Sequence, residues 1–220
     1  MKPLTLEQRV EKMMADNPGR TAEECATAVS AIRAEKRDRL LSEVPAMYRE
    51  ASLADLGHSE GIVRSALDLA FSADAKSKAC GIVFTGNPGS GKTHALYAIV
   101  RHLAEADPES VSYVASYGDM MQRLRREFAQ DTYGDFGSDW LKLNSAGLIL
   151  IDDVSAGKPT DFELDKFLSF MGRRMDEFYP FVLTTNVNPK DFDRVFGERL
   201  ASRLWGYSKI VEFDDRDRRI

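Results

Sequence analysis

The sequence predicts an α/β protein: a parallel sheet between two layers of helices, with a small helical region ahead of it. Two observations carry this. From residue 61 onward, short apolar runs of strand length alternate with segments of helical periodicity. Strands spaced by helices pair in parallel and are covered on both faces. In addition, a glycine-rich turn joins the first apolar run directly to a helix, the connection that builds one unit of such a sheet.

The elements follow in order. Leu6, Val10 and Met13 recur at helical spacing, and Asn17-Pro18-Gly19 interrupts them. Thr21 with Glu24 forms a capping box that opens a second helix, with Cys25, Val29 and Ile32 on one face. The charged stretch Arg33–Arg39 reads as a solvated helical face. That helix must end before Pro45, because the residue preceding a proline avoids helical backbone angles. A boundary falls near residue 43, dividing a helical region, 1–43, from the main domain, 44–220. Helices are expected at Gly61–Phe71, Lys92–Ala104, Gly118–Phe128, Asp161–Phe178 and Glu198–Leu204. Strands are expected at Gly81–Thr85, Val111–Ala115, Leu148–Ile151, Phe181–Thr185 and Lys209–Phe213. Asp131–Gly137 reads as a loop, and Asp214–Arg219 as a frayed charged tail.

Hydrophobic residues make up 43% of the 220 residues, enough for one core. The net charge of −5 argues against a broadly basic nucleic-acid-binding surface, so any DNA contact must be a local patch. Two distant cysteines, Cys25 and Cys80, predict buried thiols rather than a disulfide framework or zinc site. No leader and no membrane-length apolar run is read, so a cytoplasmic protein that makes no membrane contact is expected.

Gly86-Asn87-Pro88-Gly89-Ser90-Gly91-Lys92-Thr93 satisfies every fixed position of the phosphate-binding loop G-x-x-x-x-G-K-[ST]. Its glycines let backbone N–H groups curl toward phosphate oxygens, and the following helix adds its positive dipole end. Lys92 would reach the outer phosphates of ATP, and Thr93 would hold Mg²⁺. The run Leu148–Asp153 is an apolar strand that delivers Asp152 to the same sheet end. There Asp152 would hold Mg²⁺ and Asp153 would polarise the attacking water. Phe181–Asn186 is a second such strand, and Asn186 could reach the γ-phosphate or that water; otherwise it is a turn residue before Asn188-Pro189. Arg199 and Arg203 lie one helical turn apart, as exposed cations for a neighbouring subunit's phosphate or as partners in surface ion pairs.

In this order and spacing, these elements resemble the AAA+ ATPases. The run Val44-Pro45-Ala46-Met47-Tyr48-Arg49-Glu50-Ala51-Ser52 narrows the resemblance to the DnaC/DnaI helicase loaders and the IstB transposition helpers. So do Gly86–His94, the paired acids, Thr184-Thr185-Asn186 and the run Gly197–Leu204. The resemblance covers roughly residues 44–213. It implies a three-layer P-loop NTPase with a five-stranded parallel sheet and no helical lid after the last strand. It also implies Mg²⁺-ATP bound between subunits of an oligomer, with His94 beside the loop, Asn186 at sensor 1 and Arg203 as the arginine finger. Many relatives have Glu where Asp153 stands; the shorter side chain implies slow turnover.

The partners implied are a replicative DNA helicase, docked on residues 1–43, and single-stranded DNA. Arg123 and Arg126 share a helical face that would meet the DNA, unless that face is simply solvated, and Tyr133 and Phe136 could stack on bases. Three readings stay open: an ATP-dependent helicase loader, a transposition helper that binds duplex DNA and recruits a transposase, and an ATP-binding adaptor that hydrolyses little.

Overall fold

The computed structural model describes residues 4–71, 79–130, 143, 147–154 and 160–213. Tyr133, Phe136, the expected loop 131–137 and the tail 214–219 lie outside these residues. Helices α1 (Leu6–Asp16) and α2 (Ala22–Ser42) each open on a threonine capping box, at Thr5 and Thr21. Each box satisfies helix-end N–H groups that otherwise have no partner. Two short 3₁₀ turns, Ala46–Tyr48 and Leu53–Ser59, lead into α3 (Glu60–Phe71). The main domain then alternates β1 (Gly81–Thr85), α4 (Lys92–Ala106), β2 (Val111–Ser116), α5 (Tyr117–Gln130), β3 (Leu148–Val154), α6 (Asp161–Asp176) and β4 (Phe181–Thr185). It closes with two short helices, α7 (Phe192–Phe196) and α8 (Glu198–Tyr207), and β5 (Ser208–Glu212).

The sheet order is β2-β3-β4-β1-β5, parallel throughout. Period-2 alternation splits the strand residues between two cores. Ile82, Phe84, Leu148, Leu150 and Val182 pack with α2, α3 and α4. Val83, Ile149, Ile151, Phe181 and Leu183 pack with α5, α6 and α8. The fold is thus the expected three-layer P-loop sheet. β1 lies beside β4, and β4 beside β3, so the C-terminal ends of all three strands lie side by side, the place where open α/β sheets bind ligands.

Both cysteines are buried. Ile32, placed on one helical face with the buried Cys25 and Val29, is 50% exposed and lines a small surface cavity with Leu4, Met13 and Val29. Leu40 on α2 packs into the same core as β1 and α4. A polar cluster fastens α1 and α2 to the far end of α4. Arg9 and Arg33 reach Asp107 at 3.2 and 3.3 Å, Arg9 also meets Glu109, and Lys36 donates to the Glu109 carbonyl.

β3 runs three residues past its expected end because it carries a bulge. Ile151 pairs with Leu183, but the next pair is Val154 with Thr185, so Asp152 and Asp153 face Thr184 alone. Asp153 has a φ of 55°, a left-handed conformation that aspartate tolerates better than most residues.

Candidate functional site

The loop Gly86–Gly91 leaves the end of β1 and opens α4. Gly86 has a φ of 140°, and a Cβ there would stand 2.7 Å from the Phe213 carbonyl oxygen, so no larger residue fits. Gly91, at φ 100°, is the N-cap of α4 and turns the chain into the helix. Lys92 folds back over the loop: its buried ammonium donates to the carbonyls of Gly86 at 2.7 Å and Asn87 at 2.8 Å.

A cavity of about 790 Å³ opens beside this loop. Pro88, Gly89, Gly91, Lys92, Thr93 and His94 line one side, and Asp152, Asp153, Thr184 and Asn186 the other. Strict alternation would send the side chains of Asp152 and Asp153 to opposite faces of the sheet; the bulge turns both toward the cavity. The Thr93 hydroxyl donates to Asp152 Oδ1 at 3.1 Å, and the Thr184 hydroxyl to the same oxygen at 2.6 Å. Asn186 Nδ2 donates to Asp153 Oδ1 at 3.0 Å. Burial pushes the Asp152 carboxyl above its ordinary pKa, opposed by the hydrogen bonds from Thr184 and Thr93 and raised further by neighbouring Asp153.

The cavity's third wall comes from the segment before α3: Pro45, Met47, Tyr48, Asp55 and Leu56. Tyr48 stacks on Tyr97 of α4 at 5.1 Å between ring centroids. Arg101 on α4 donates to the Ala51 carbonyl, which fastens this wall to the helix that begins at the loop. Met47 is 79% exposed, an apolar side chain left at the rim. His94 Nε2 stands 3.5 Å from Asp55 Oδ2, a longer contact than a well-formed hydrogen bond.

These residues fit a nucleoside triphosphate with a divalent cation. A lysine and a helix N-terminus face one region, where phosphates would lie. The Thr93 hydroxyl and the Asp152 carboxylate supply the hard oxygen donors that Mg²⁺ prefers. The Tyr48, Met47 and Leu56 wall supplies the apolar surface a base needs.

A family model described as IstB-like ATP binding protein matches residues 22–214. The chain belongs to the IstB-like ATP-binding protein family. Among curated proteins, the chromosomal replication initiator protein DnaA of Oenococcus oeni is 27% identical over 123 residues, which is 56% of this chain and 26% of that protein. DnaA of Enterococcus faecalis is 28% identical over 142 residues, 63% of this chain and 30% of that protein. The chain therefore spans about a quarter to a third of these relatives, as the covered shares of 26% and 30% show. Among solved structures, DnaI superposes with a TM-score of 0.63 at 20% identity, over 78% of this chain and 95% of that one. The DnaC helicase loader gives 0.62 at 17% identity, over 77% and 100%. AMPPCP-bound DnaA from Aquifex aeolicus gives 0.60 at 21%, over 77% and 52%. At such identities the likeness is one of fold.

In this IstB-like chain the remaining candidates lie apart from the cavity. Arg203 on α8 donates to the Gly172 carbonyl at 3.1 Å and pairs with Asp176 at 3.0 Å, both on α6. Arg199 on the same helix is exposed. Arg123 and Arg126 are exposed on α5, whereas Arg125 between them pairs with Glu163 at 2.9 Å.

Thr184, Thr185, Tyr97 and Asp55 were not singled out individually from the sequence. Thr184 and Thr185 had a legible signal: two hydroxyls in a five-residue strand as apolar as Phe181–Thr185 must find partners if that strand is buried. The Thr185 hydroxyl donates to the Val154 carbonyl at 2.8 Å and accepts from the Val187 N–H at 3.1 Å, which steers the chain so that Asn186 meets Asp153.

Proposed function

We propose that this chain binds Mg²⁺-ATP in the cavity between the Gly86–Thr93 loop and the ends of β3 and β4, and that it hydrolyses ATP slowly. The observation that carries this reading is the bulge, which turns Asp152 and Asp153 together toward the loop lysine. When bound, Mg²⁺ would neutralise charge building on the outer phosphates. Lys92 would bind those phosphates, Thr93 and Asp152 would hold the cation, and Asp153 would accept a proton from water that Asn186 helps to orient. Pro45, Met47 and Tyr48 would hold the base.

The wider function is ATP-dependent loading of a replicative helicase onto single-stranded DNA by a self-assembled oligomer. ATP would lie between subunits, with Arg203 completing the neighbour's site and Arg199 close by. Its support is the resemblance of Val44–Ser52 and Gly197–Leu204 to helicase loaders, and a fold shared along the full solved chain of the DnaC helicase loader. Residues 1–43 would dock the helicase; Leu4, Leu6, Met14 and Ile32 are exposed there, as a docking face requires. Arg123 and Arg126 would contact the DNA backbone.

Co-purification with the replicative helicase, with and without ATP, tests this. ATP-dependent capture is expected; no capture under either condition overturns the loader reading. The family match favours a second reading, a transposition helper. Capture of a transposase, with preference for duplex over single-stranded DNA, would select it.

A further inference from the structure

We infer that Thr184 is a positioning residue: its single hydroxyl holds both acids of the site in register. The inference rests on the nucleotide-binding reading above. Asp152 and Asp153 together face one residue of β4, and that residue is Thr184. In an unbroken ladder, the Asp153 N–H would donate to a β4 carbonyl. The bulge removes that partner, and the N–H donates to the Thr184 hydroxyl oxygen at 2.8 Å instead.

The proton of the same hydroxyl goes to Asp152 Oδ1 at 2.6 Å. Thr184 thus accepts from the backbone of one acid and donates to the side chain of the other. It is 1% exposed, so water cannot take its place. The left-handed backbone at Asp153, φ 55°, needs such a tether, because the conformation is costly for a residue with a Cβ. Without the hydroxyl, a buried N–H loses its acceptor, and the simplest relief is for the bulge to shift. Asp152 would then turn away from Thr93, and Asp153 away from Asn186.

The test compares the affinity for a fluorescent ATP analogue with and without Mg²⁺ in wild type, Thr184→Val and Thr184→Ser. The valine keeps the shape and removes the hydroxyl; the serine keeps the hydroxyl. Affinity without Mg²⁺ reports the loop and Lys92, whereas the Thr184 hydroxyl bonds to Asp152 and Asp153. In wild type, Mg²⁺ should tighten binding. In Thr184→Val that gain should fall about tenfold, the size expected for losing a hydrogen bond to a charged group, with Mg²⁺-free affinity unchanged. Thr184→Ser should keep the gain to within about threefold. If Thr184→Val fails to fold, Thr184→Cys, of similar size but a weak donor, should show the same loss. The assignment is overturned if the valine protein keeps the Mg²⁺ gain, or if the serine protein loses it equally. A wild type that binds no nucleotide would remove the nucleotide reading and this inference together; a Thr184→Val protein with the full gain would remove the inference alone.

Discussion

The strand ends beside the cavity and the arginine helix α8 solve opposite problems. At the strand ends each candidate side chain is fixed by another: Thr93 and Thr184 on Asp152, Asn186 on Asp153. On α8, Arg203 is held by Gly172 and Asp176 of its own chain, and Arg199 faces solvent. The first set is organised within one chain before anything binds. The second lies apart from that cavity: Arg203 is tied to α6 of its own chain, and only Arg199 is exposed. On the proposed reading, one half of the nucleotide site is complete within this chain, and the other half belongs to a neighbouring copy.

The largest expected effect breaks the finished half. Lys92→Ala should weaken binding of an ATP analogue at least about 100-fold, because charge-assisted hydrogen bonds to phosphate are among the strongest a side chain makes. Equilibrium titration checks this; near-normal affinity would show that phosphates do not lie at the loop. Next, Asp153→Asn should lower steady-state hydrolysis about 100-fold, as loss of a general base does, while affinity stays within about threefold. An equal loss of affinity would make Asp153 part of the binding surface instead.

The outward half is broken by Arg203→Ala. Isolated protein should bind nucleotide as before, while the hydrolysis gained on raising protein concentration should vanish. Asp176→Asn sharpens the comparison. It removes the ion pair but keeps the arginine, at a cost of about 1 kcal/mol or less for a partly exposed pair. If the two variants behave alike in hydrolysis, Arg203 is a brace for α6 and not a finger.

The two halves also differ in how far the sequence reveals them. The loop Gly86–Thr93, the start of α4 and the cores of β1 and β4 could be read directly, because turn chemistry and apolar periodicity act over a few residues. The bulge could not. It depends on where β4 lies against β3 and on one hydroxyl of Thr184, contacts made across 31 and 32 positions of sequence. The 3₁₀ turns that set Tyr48 against Tyr97 were hidden for the same reason: their packing partner is α4, not their own neighbours. Arg203 could be placed on an exposed helix, but its partner Asp176 sits on another helix with no local pattern linking them. The capping boxes at Thr21 and Thr160 show the contrast within helices. Each is spelled in four consecutive residues; of the two, Thr21 with Glu24 was read from the sequence.

The smallest expected effect concerns α5, and it asks whether the outward-facing chemistry extends to DNA. Arg123 and Arg126 are exposed, and Arg125 is already bound to Glu163. The three arginines therefore predict different outcomes although they are sequence neighbours. Arg123→Ala and Arg126→Ala should each weaken single-stranded DNA binding a few-fold and lower the salt dependence by about one phosphate contact, roughly 0.7 in the logarithmic slope for a single strand. Arg125→Ala should leave both unchanged and cost about 1 kcal/mol of stability, since Arg125 itself is half exposed. Fluorescence anisotropy at several salt concentrations separates the cases. Equal slopes for all three variants would mean that α5 contributes general surface charge and no defined contact, and the DNA-facing surface must then be sought elsewhere on the chain.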